Sequence, residues 1–593
     1  MINSIPVIVA SPDDSKVRSF PGTFIDTPGR YEVVGIDGFG IINGRAVATK
    51  ENVAEALAGT DLDPEQLGSA MKGSLTCYLR DRRSGNYYVL ADPLGAGIVF
   101  YWTGGGGAAA CSSSLPRLLS FLRTIGIKPS PSIEYFAILA TRGNGGLYPS
   151  PYNGIAALSD NAYLELSHKG MRELPYPNTV FIESSSIAGL DYSDKVQHLA
   201  DEVTNNVEIY AKYPTSRRIA HLTGGLDSRM VFGATIRSPA AESFRFFTAG
   251  EPGAPDVIVA DSLCAEFNAL RTRDPGVETA IRPSSPLESA RWGLQHTAGV
   301  LSGPANPGLA NSDALVLSGG FGELFRGVNR ALFAKYGNDP LGFDHVTLAL
   351  LGGAAPSIGR FDDSILSEPL ILAARDRAVQ IKSEYDELHL PAHSNALLEF
   401  TYIKTRARYY TGEITRSLSR YVRRADPLYS PSAIAVAHQL PGGFRQRYNL
   451  QLDVLNEIDR RLVELPFDSP RVGPEYISRH PKFGAREFKK GVAAFDNEYI
   501  PPDTLVLKSD APTVDPSLVR SAHKLGLPAA TVVHSETYRR QLRELLGAFS
   551  SKEIEATFNR ARLDELLAKP ARWRPQYRML RNLYEAFSGF QSL

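Results

Sequence analysis

The sequence predicts a chain of two parts, an α+β domain followed by an α/β domain built on a parallel sheet, and three observations carry this. The first 180 or so residues are dense in short β-branched and aromatic runs broken by Gly, Pro and Asp. From about residue 190 the texture changes to long helical patterns alternating with short apolar strands. And 593 residues exceed what a single hydrophobic core serves, so two or more domains are expected.

In chain order, "YEVVGIDGFGIING", "GSLTCYLRDRRSGNYYVLADPLGAGIVFYW" and "NAYLELSHKGMREL" read as hairpins of antiparallel sheet, with a helical interruption at Leu115 to Leu122. Residues 1–185 are assigned to this first domain and residues 190–593 to the second. In the second, "RRIAHLT", "SFRFFTAG" and "DALVLSGG" read as strands joined by crossover helices, which implies a parallel sheet with ligands at the carboxyl ends of its strands. Those ends are Thr223-Gly224-Gly225, Thr248-Ala249-Gly250 and Ser318-Gly319-Gly320, three edges expected to line one pocket. Beyond residue 365 the chain reads as mostly helical, interrupted at "RRADPLYSPS" and at Asp468 to Gly484, a Pro- and Gly-rich stretch read as an ordered loop.

Composition narrows the partners. Lys plus Arg (64) equals Asp plus Glu (64), so no overall basic field recommends nucleic acid or an anionic membrane. Cys77, Cys111 and Cys264 are too scattered for a disulfide framework or a structural zinc site. The opening MINSIPVIVASPDDSK lacks a signal-peptide pattern, and no run of about 18 apolar residues occurs. A soluble, cytoplasmic protein is expected.

The stretch "RRIAHLTGGLDSRMVFGATI" holds the strongest local signal. A buried strand feeds a Gly-rich turn and then a helix. Glycines let backbone approach an anion, and the first helical amides, lacking intrahelical partners, point at it. Ser228 is a good N-cap type and a hydroxyl donor. No Lys stands beside a Ser or Thr at the helix start, so this is not a Walker loop.

These residues bear a wider likeness. "LTGGLDS" at 222–228 resembles the SGGLDS pyrophosphate loop of the asparagine synthetase family, with Thr223 in place of the first Ser. "VLADPLGAGIVFYW" and "CSSSLPRLLSFL" look like stretches of that family's amidotransferase domain; "APDVIVADSLCAEF", "LVLSGGFGELFRG" and "DPLYSPSAIAVAHQLPGGFR" look like stretches of its synthetase domain, in the same order. The resemblance implies an Ntn-hydrolase-like first domain and an adenine-nucleotide α-hydrolase (PP-loop ATPase) second domain with helical additions. It also implies ATP-dependent activation of a carboxylate as an acyl-adenylate, with release of pyrophosphate, followed by attack of a nitrogen nucleophile. Thr223, Gly224, Gly225 and Ser228 would then hold pyrophosphate together with Gly319 and Gly320, and Asp227 would hold Mg²⁺. Glu323 and, on a later loop, Lys482 would take the catalytic roles, with Lys489 and Lys490 as competitors of Lys482.

Two departures modify this. Glutamine-using members expose an N-terminal cysteine; here residue 2 is Ile2, so a first domain without glutaminase activity is expected, as in β-lactam synthetases and lasso-peptide cyclases. The loop Ser318-Gly319-Gly320-Phe321-Gly322-Glu323 has Gly322 where the family has an Asp that helps hold Mg²⁺. The expected function is therefore an ATP-dependent carbon–nitrogen ligase that joins a small-molecule or peptide carboxylate to an amine not taken from glutamine, in natural-product or ribosomal-peptide biosynthesis of the lasso type. A partner protein that delivers the peptide fits this function. The alternatives are an ammonia-dependent asparagine-forming enzyme, a non-catalytic scaffold that kept the fold, and thiolation of a nucleotide, which the balanced charge disfavours.

The remaining signals read as structural. Asp256 reads as the N-cap of the helix after "GAP", and Gly104 to Gly107 as a hairpin tip. His389 and His393 have zinc-pair spacing, but Pro391 between them breaks the helix. Tyr409 and Glu413, one turn apart, read as a helix-surface pair; a Tyr/Glu dyad is the base in β-lactam-forming relatives, yet Arg423 and Arg424 stand where those relatives have an acid.

Overall fold

A computed structural model describes the chain apart from residues 1–4, 12–15, 21–23, 27–28, 143–145, 178–179, 278, 283–292, 295–296, 299–307, 310–311, 329–345, 348, 351–364, 391–393, 489–492, 497–504, 507–515, 518–519, 521–528, 569–573 and 592–593. Ile2, Pro391, His393, Lys489 and Lys490 lie outside the described residues. The fold is mixed α/β with several sheets.

The first part is a four-layer sandwich. One antiparallel sheet runs, in spatial order, Ala156–Ala157, Phe100–Thr103, Ala109–Ser112, Val7–Ser11, Lys16–Phe20. The other runs Gly170–Pro175, Ala162–Ser167, Tyr87–Ala91, Leu75–Asp81, Tyr31–Gly38, Ile25–Asp26. Successive side chains of a strand face opposite ways, and both faces here are apolar. Ile8, Ala10 and Cys111 of the first sheet meet Tyr78, Val89, Ala91 and Leu164 of the second in the middle of the sandwich. Their neighbours Leu75, Cys77, Leu79 and Leu90 face outward onto Val53 and Leu57 of the helix Lys50–Leu57, while Val7, Phe100 and Ala110 face Leu115, Leu118 and Leu122 of the helix Leu115–Thr124. Gly104 to Gly107 form the tip of a hairpin, as expected.

The second part is organised by one parallel sheet: β1 (Arg217–His221), β2 (Arg245–Phe247), β3 (Arg271–Thr272), β4 (Ala314–Leu317), β5 (Arg423–Ala425) and β6 (Phe495–Asp496), in the spatial order β6-β3-β2-β1-β4-β5, every pair parallel. Its core residues alternate too: Ala220, Phe246, Leu315 and Leu317 pack against Val203 and Val207 of α1 (Tyr192–Ala211), Met230 and Val231 of α2 (Leu226–Arg237) and Leu263 of α3 (Pro255–Glu266). Ile219 and Val316 face the other way onto Val422. The chain leaves β1 toward β2 on one side and returns through β4 on the other, so the order reverses between β1 and β4. That reversal opens a crevice at the strands' carboxyl ends.

Four details differ from the sequence reading. "RRADPLYSPS" supplies β5 before the helix Pro431–Gln439, because a three-residue parallel strand needs only backbone pairing with β4. The loop Asp468 to Gly484 contains a short helix, Pro474–Arg479, which Pro474 can begin because a first-turn residue has no amide bond to lose. Tyr409 and Glu413 are buried, 8% and 1% exposed, rather than on a helix surface. Glu413 is gripped at both oxygens by Arg416, 2.7 and 2.6 Å, in the short helix Glu413–Leu418. And Asp256 does not cap its helix; Ala254 does. Among the described residues no helix is long and apolar enough to cross a membrane.

Candidate active site

The turn after β1 is tied by its own side chains. The Ser228 hydroxyl accepts from the Thr223 amide at 3.0 Å and lies 2.8 Å from the Thr223 hydroxyl. Ser228 is thus a third-position helical residue holding the turn closed, and Gly225 is the N-cap. Asp256, on α3, accepts from the Gly224 amide at 2.7 Å, and the Asp468 amide donates to the Gly224 carbonyl at 3.1 Å. The amides of Leu226, Asp227 and Ser228 open α2 without a carbonyl four residues back, so they are the donors left for a ligand.

The two glycines of this turn differ. A Cβ on Gly224 would lie 2.6 Å from the Asp468 Cβ, whereas one on Gly225 would meet only the Thr223 hydroxyl, at an ordinary 3.6 Å. Gly225 has φ −81° and ψ 178°, open to any residue. Its glycine is therefore not demanded by the fold, and the space over it is free for a ligand. Gly225→Ala is expected to cost no more than about 1 kcal/mol of stability, while weakening pyrophosphate binding by about tenfold or more, roughly 1.4 kcal/mol. Thermal melting beside calorimetric titration with pyrophosphate checks this; wild-type affinity in the variant would mean that no ligand approaches the backbone there.

The loop after β4 lies against this turn. A Cβ on Gly319 would sit 2.9 Å from the Ser228 amide nitrogen, and one on Gly322 would sit 2.5 Å from Cβ and Cγ of Asp227. An acid at 322 would collide with Asp227 in this conformation, so the loop as it lies here takes glycine at that position. The Gly320 amide donates to the Ser318 hydroxyl at 3.2 Å.

Asp227 is the centre of the charges. Gln451, on the helix Asn449–Ile458, donates to its Oδ1 at 2.7 Å, and Arg326 to its Oδ2 at 3.4 Å. Arg326 also stands 4.0 Å from Glu323, one turn before it. Burial, and then the Asp227 charge, push the Glu323 carboxyl above its ordinary range, against Arg326. Two carboxylates thus share one arginine, an arrangement a second cation relieves. Among the described residues no group of three metal-ligating side chains occurs, but Mg²⁺ needs only one or two carboxylates when phosphate oxygens and water complete its shell. Asp227 and Glu323 fit that role.

The structure does not bring every proposed residue together. Lys482 is exposed; Arg460 donates to its backbone carbonyl, and no described contact carries its ammonium to the turn. Arg326 and Gln451 were missed by the sequence reading. Arg326 stands three residues after Glu323, a spacing that signals a pair; Gln451 is 224 positions from Asp227, and no local pattern announces it.

His221 ends β1 beneath the site. It lies 3.0 Å from the Pro275 carbonyl, which can only accept, so its Nε2 carries the proton. Burial, then Arg424, lower its pKa to about 4. The unfolded chain takes up this proton near pH 6.5 and the folded chain only near 4, so the unfolded state binds more protons in that window and stability falls as pH falls through it. Relative to His221→Gln, the wild type is expected to lose about 3 kcal/mol more between pH 6.5 and 4. Denaturant titrations across that range measure it.

No protein-family model matches the chain, and no curated protein sequence matches it. Among solved structures, 25 chains match. One is described as the structure of the allosteric regulatory enzyme of purine biosynthesis, 9% identical, covering 56% of this chain and 71% of that one, with a TM-score of 0.18. So loose a superposition carries no argument about this chain's chemistry.

Proposed function

We propose that the chain is an ATP-dependent amide-forming ligase that activates a carboxylate with release of AMP and pyrophosphate and joins it to an amine. The observation that carries this reading is the meeting, at the β1/β4 crevice, of a ligand-open helix start with the facing carboxylates Asp227 and Glu323. The likeness of both loops to the asparagine synthetase family, and the sandwich of two helix-covered sheets expected of an Ntn-hydrolase-like domain, support the same reading.

The first-turn amides bind the phosphates, and the Thr223 and Ser228 hydroxyls, bonded to each other, hold the turn in shape around them. Gln451 fixes the Asp227 carboxylate, and Arg326 offsets the charge shared by Asp227 and Glu323. Mg²⁺, held by Asp227 and Glu323, would neutralise charge on the departing pyrophosphate. All three cysteines are buried, and burial pushes the thiols of Cys77 and Cys264 up to about 12 and that of Cys111 higher still. None offers a thiolate to attack glutamine, which favours a free amine or ammonia as nucleophile. A peptide or small-molecule acid of natural-product type, with a partner protein delivering a peptide, completes the proposal; neither nucleic acid nor membrane takes part.

ATP–pyrophosphate exchange across a panel of amino acids, peptides and small acids tests this. Exchange dependent on one acid, with no glutamate formed from glutamine, is expected. The competing scaffold reading is favoured by the absence of an acid at Gly322, and it predicts no exchange and no nucleotide binding.

A further inference from the structure

The Gly319–Glu323 loop is held in a conformation its own sequence does not favour. Phe321, 1% exposed, has φ +64°, the left-handed region that a residue with a Cβ rarely enters unless its surroundings impose it. Its carbonyl accepts from the Leu324 amide at 3.0 Å, so the twist at 321 sets the turn Gly322–Phe325 that carries Glu323. Against Phe321 lies Tyr429, whose ring meets it edge-on at 5.1 Å and 73°.

Tyr429 is fixed from the sandwich. Its hydroxyl donates to Asp92 Oδ1 at 2.6 Å and accepts from the Leu94 amide at 3.2 Å. The Asp92 carboxylate, wholly buried, also accepts from the amides of Gly97 at 2.6 Å and Ala96 at 3.2 Å, so its position follows from the turn 92–97. Arg408 donates to the Gly95 carbonyl at 2.9 Å, and a Cβ on Gly412 would lie 2.6 Å from that of Ala96, so this turn is pressed onto the second part. Tyr429 also closes a turn onto Asp426, its amide donating to the Asp426 carbonyl at 3.0 Å; the Asp426 carboxylate accepts from Ser318 and from Thr415. The loop is gripped at Ser318 and at Phe321 by one segment, and that segment is anchored by Asp92.

We infer that Asp92 is a positioning residue for the Gly319–Glu323 loop, acting across the two parts of the chain through Tyr429 onto Phe321. The sandwich, without an accessible thiol, thereby retains a role: it sets the conformation of the loop that faces Asp227. This inference concerns the same loop as the proposed function but does not depend on ATP chemistry.

Hydrogen exchange of the full chain, without nucleotide, tests it. In Tyr429→Phe, which keeps the ring, and in Asp92→Asn, exchange over residues 319–326 is expected to rise at least about tenfold while strands Tyr87–Ala91 and β4 keep wild-type protection. Lys404→Met breaks another crossing pair, 2.8 Å to Asp160, and is expected to leave the loop's exchange as it was. Phe321→Gly removes the need for imposed twist, so adding Tyr429→Phe to it is expected to change loop exchange less than twofold. Unchanged loop exchange in Tyr429→Phe, an equal rise throughout both parts of the chain, an equal loop effect from Lys404→Met, or a further tenfold rise in the Phe321→Gly background would each overturn it.

Discussion

Asp227→Asn is expected to slow pyrophosphate release by about 10² to 10³, roughly 3 to 4 kcal/mol of transition-state stabilisation, with little loss of fold. The asparagine keeps the size of the side chain and an oxygen for the 2.7 Å bond from Gln451, but loses the charge that Arg326 pairs with and that a divalent cation needs. If Asp227 served only to charge the helix start, its removal would cost about 1 kcal/mol or less of stability and leave turnover per folded molecule intact. Melting temperature and release rate at saturating Mg²⁺ separate the two, since one loss falls on the chemical step and the other on the folded fraction.

Arg416→Met is expected to give the largest loss of stability, about 3 to 5 kcal/mol. Arg416 is buried and donates to both oxygens of Glu413 and, at 2.6 Å, to Asp37 of the sandwich, which Arg420 also holds at 2.8 and 3.0 Å. Burial alone would push the Asp37 carboxyl up; Arg420 and Arg416 together hold it well below the usual carboxylate range. Removing Arg416 strands Glu413 without its partner in the interior. Replacing Glu413 by Gln in the same chain should recover part of the loss, because the stranded charge goes with it. Denaturant unfolding of the single and double variants measures both; a single variant as stable as wild type would mean that water or another cation reaches Glu413.

The sequence discloses the site where chemistry is local and hides it where geometry is long-range. A strand, a Gly-rich turn and a helix start announce Thr223 to Ser228, because each acts on its neighbours. The strand ends at Thr223, Thr248 and Ser318 fall side by side because β2, β1 and β4 are adjacent and parallel, which alternation of strand and helix already implies. Arg423 to Ala425 gave no strand signal, since two arginines carry no apolar pattern and the strand exists through its pairing with β4. Asp256 looked like a cap because Asp near a helix start usually is one; here Pro255 begins the helix a residue earlier and frees the carboxylate for Gly224. Glu413 looked like half of a surface pair because what buries it is long-range: its partner Arg416 also binds Asp37, far off in the sandwich. Gln451 and Tyr429 meet the site only through the fold, and no spacing in the chain encodes that.

Isothermal titration of the wild-type chain with ATP, with and without Mg²⁺, and with pyrophosphate as competitor, asks whether the turn after β1 holds a nucleotide. One nucleotide site per chain is expected, with an affinity that depends on Mg²⁺ and is competed by pyrophosphate. A chain that melts cooperatively yet binds neither ATP nor pyrophosphate in either condition would contradict it.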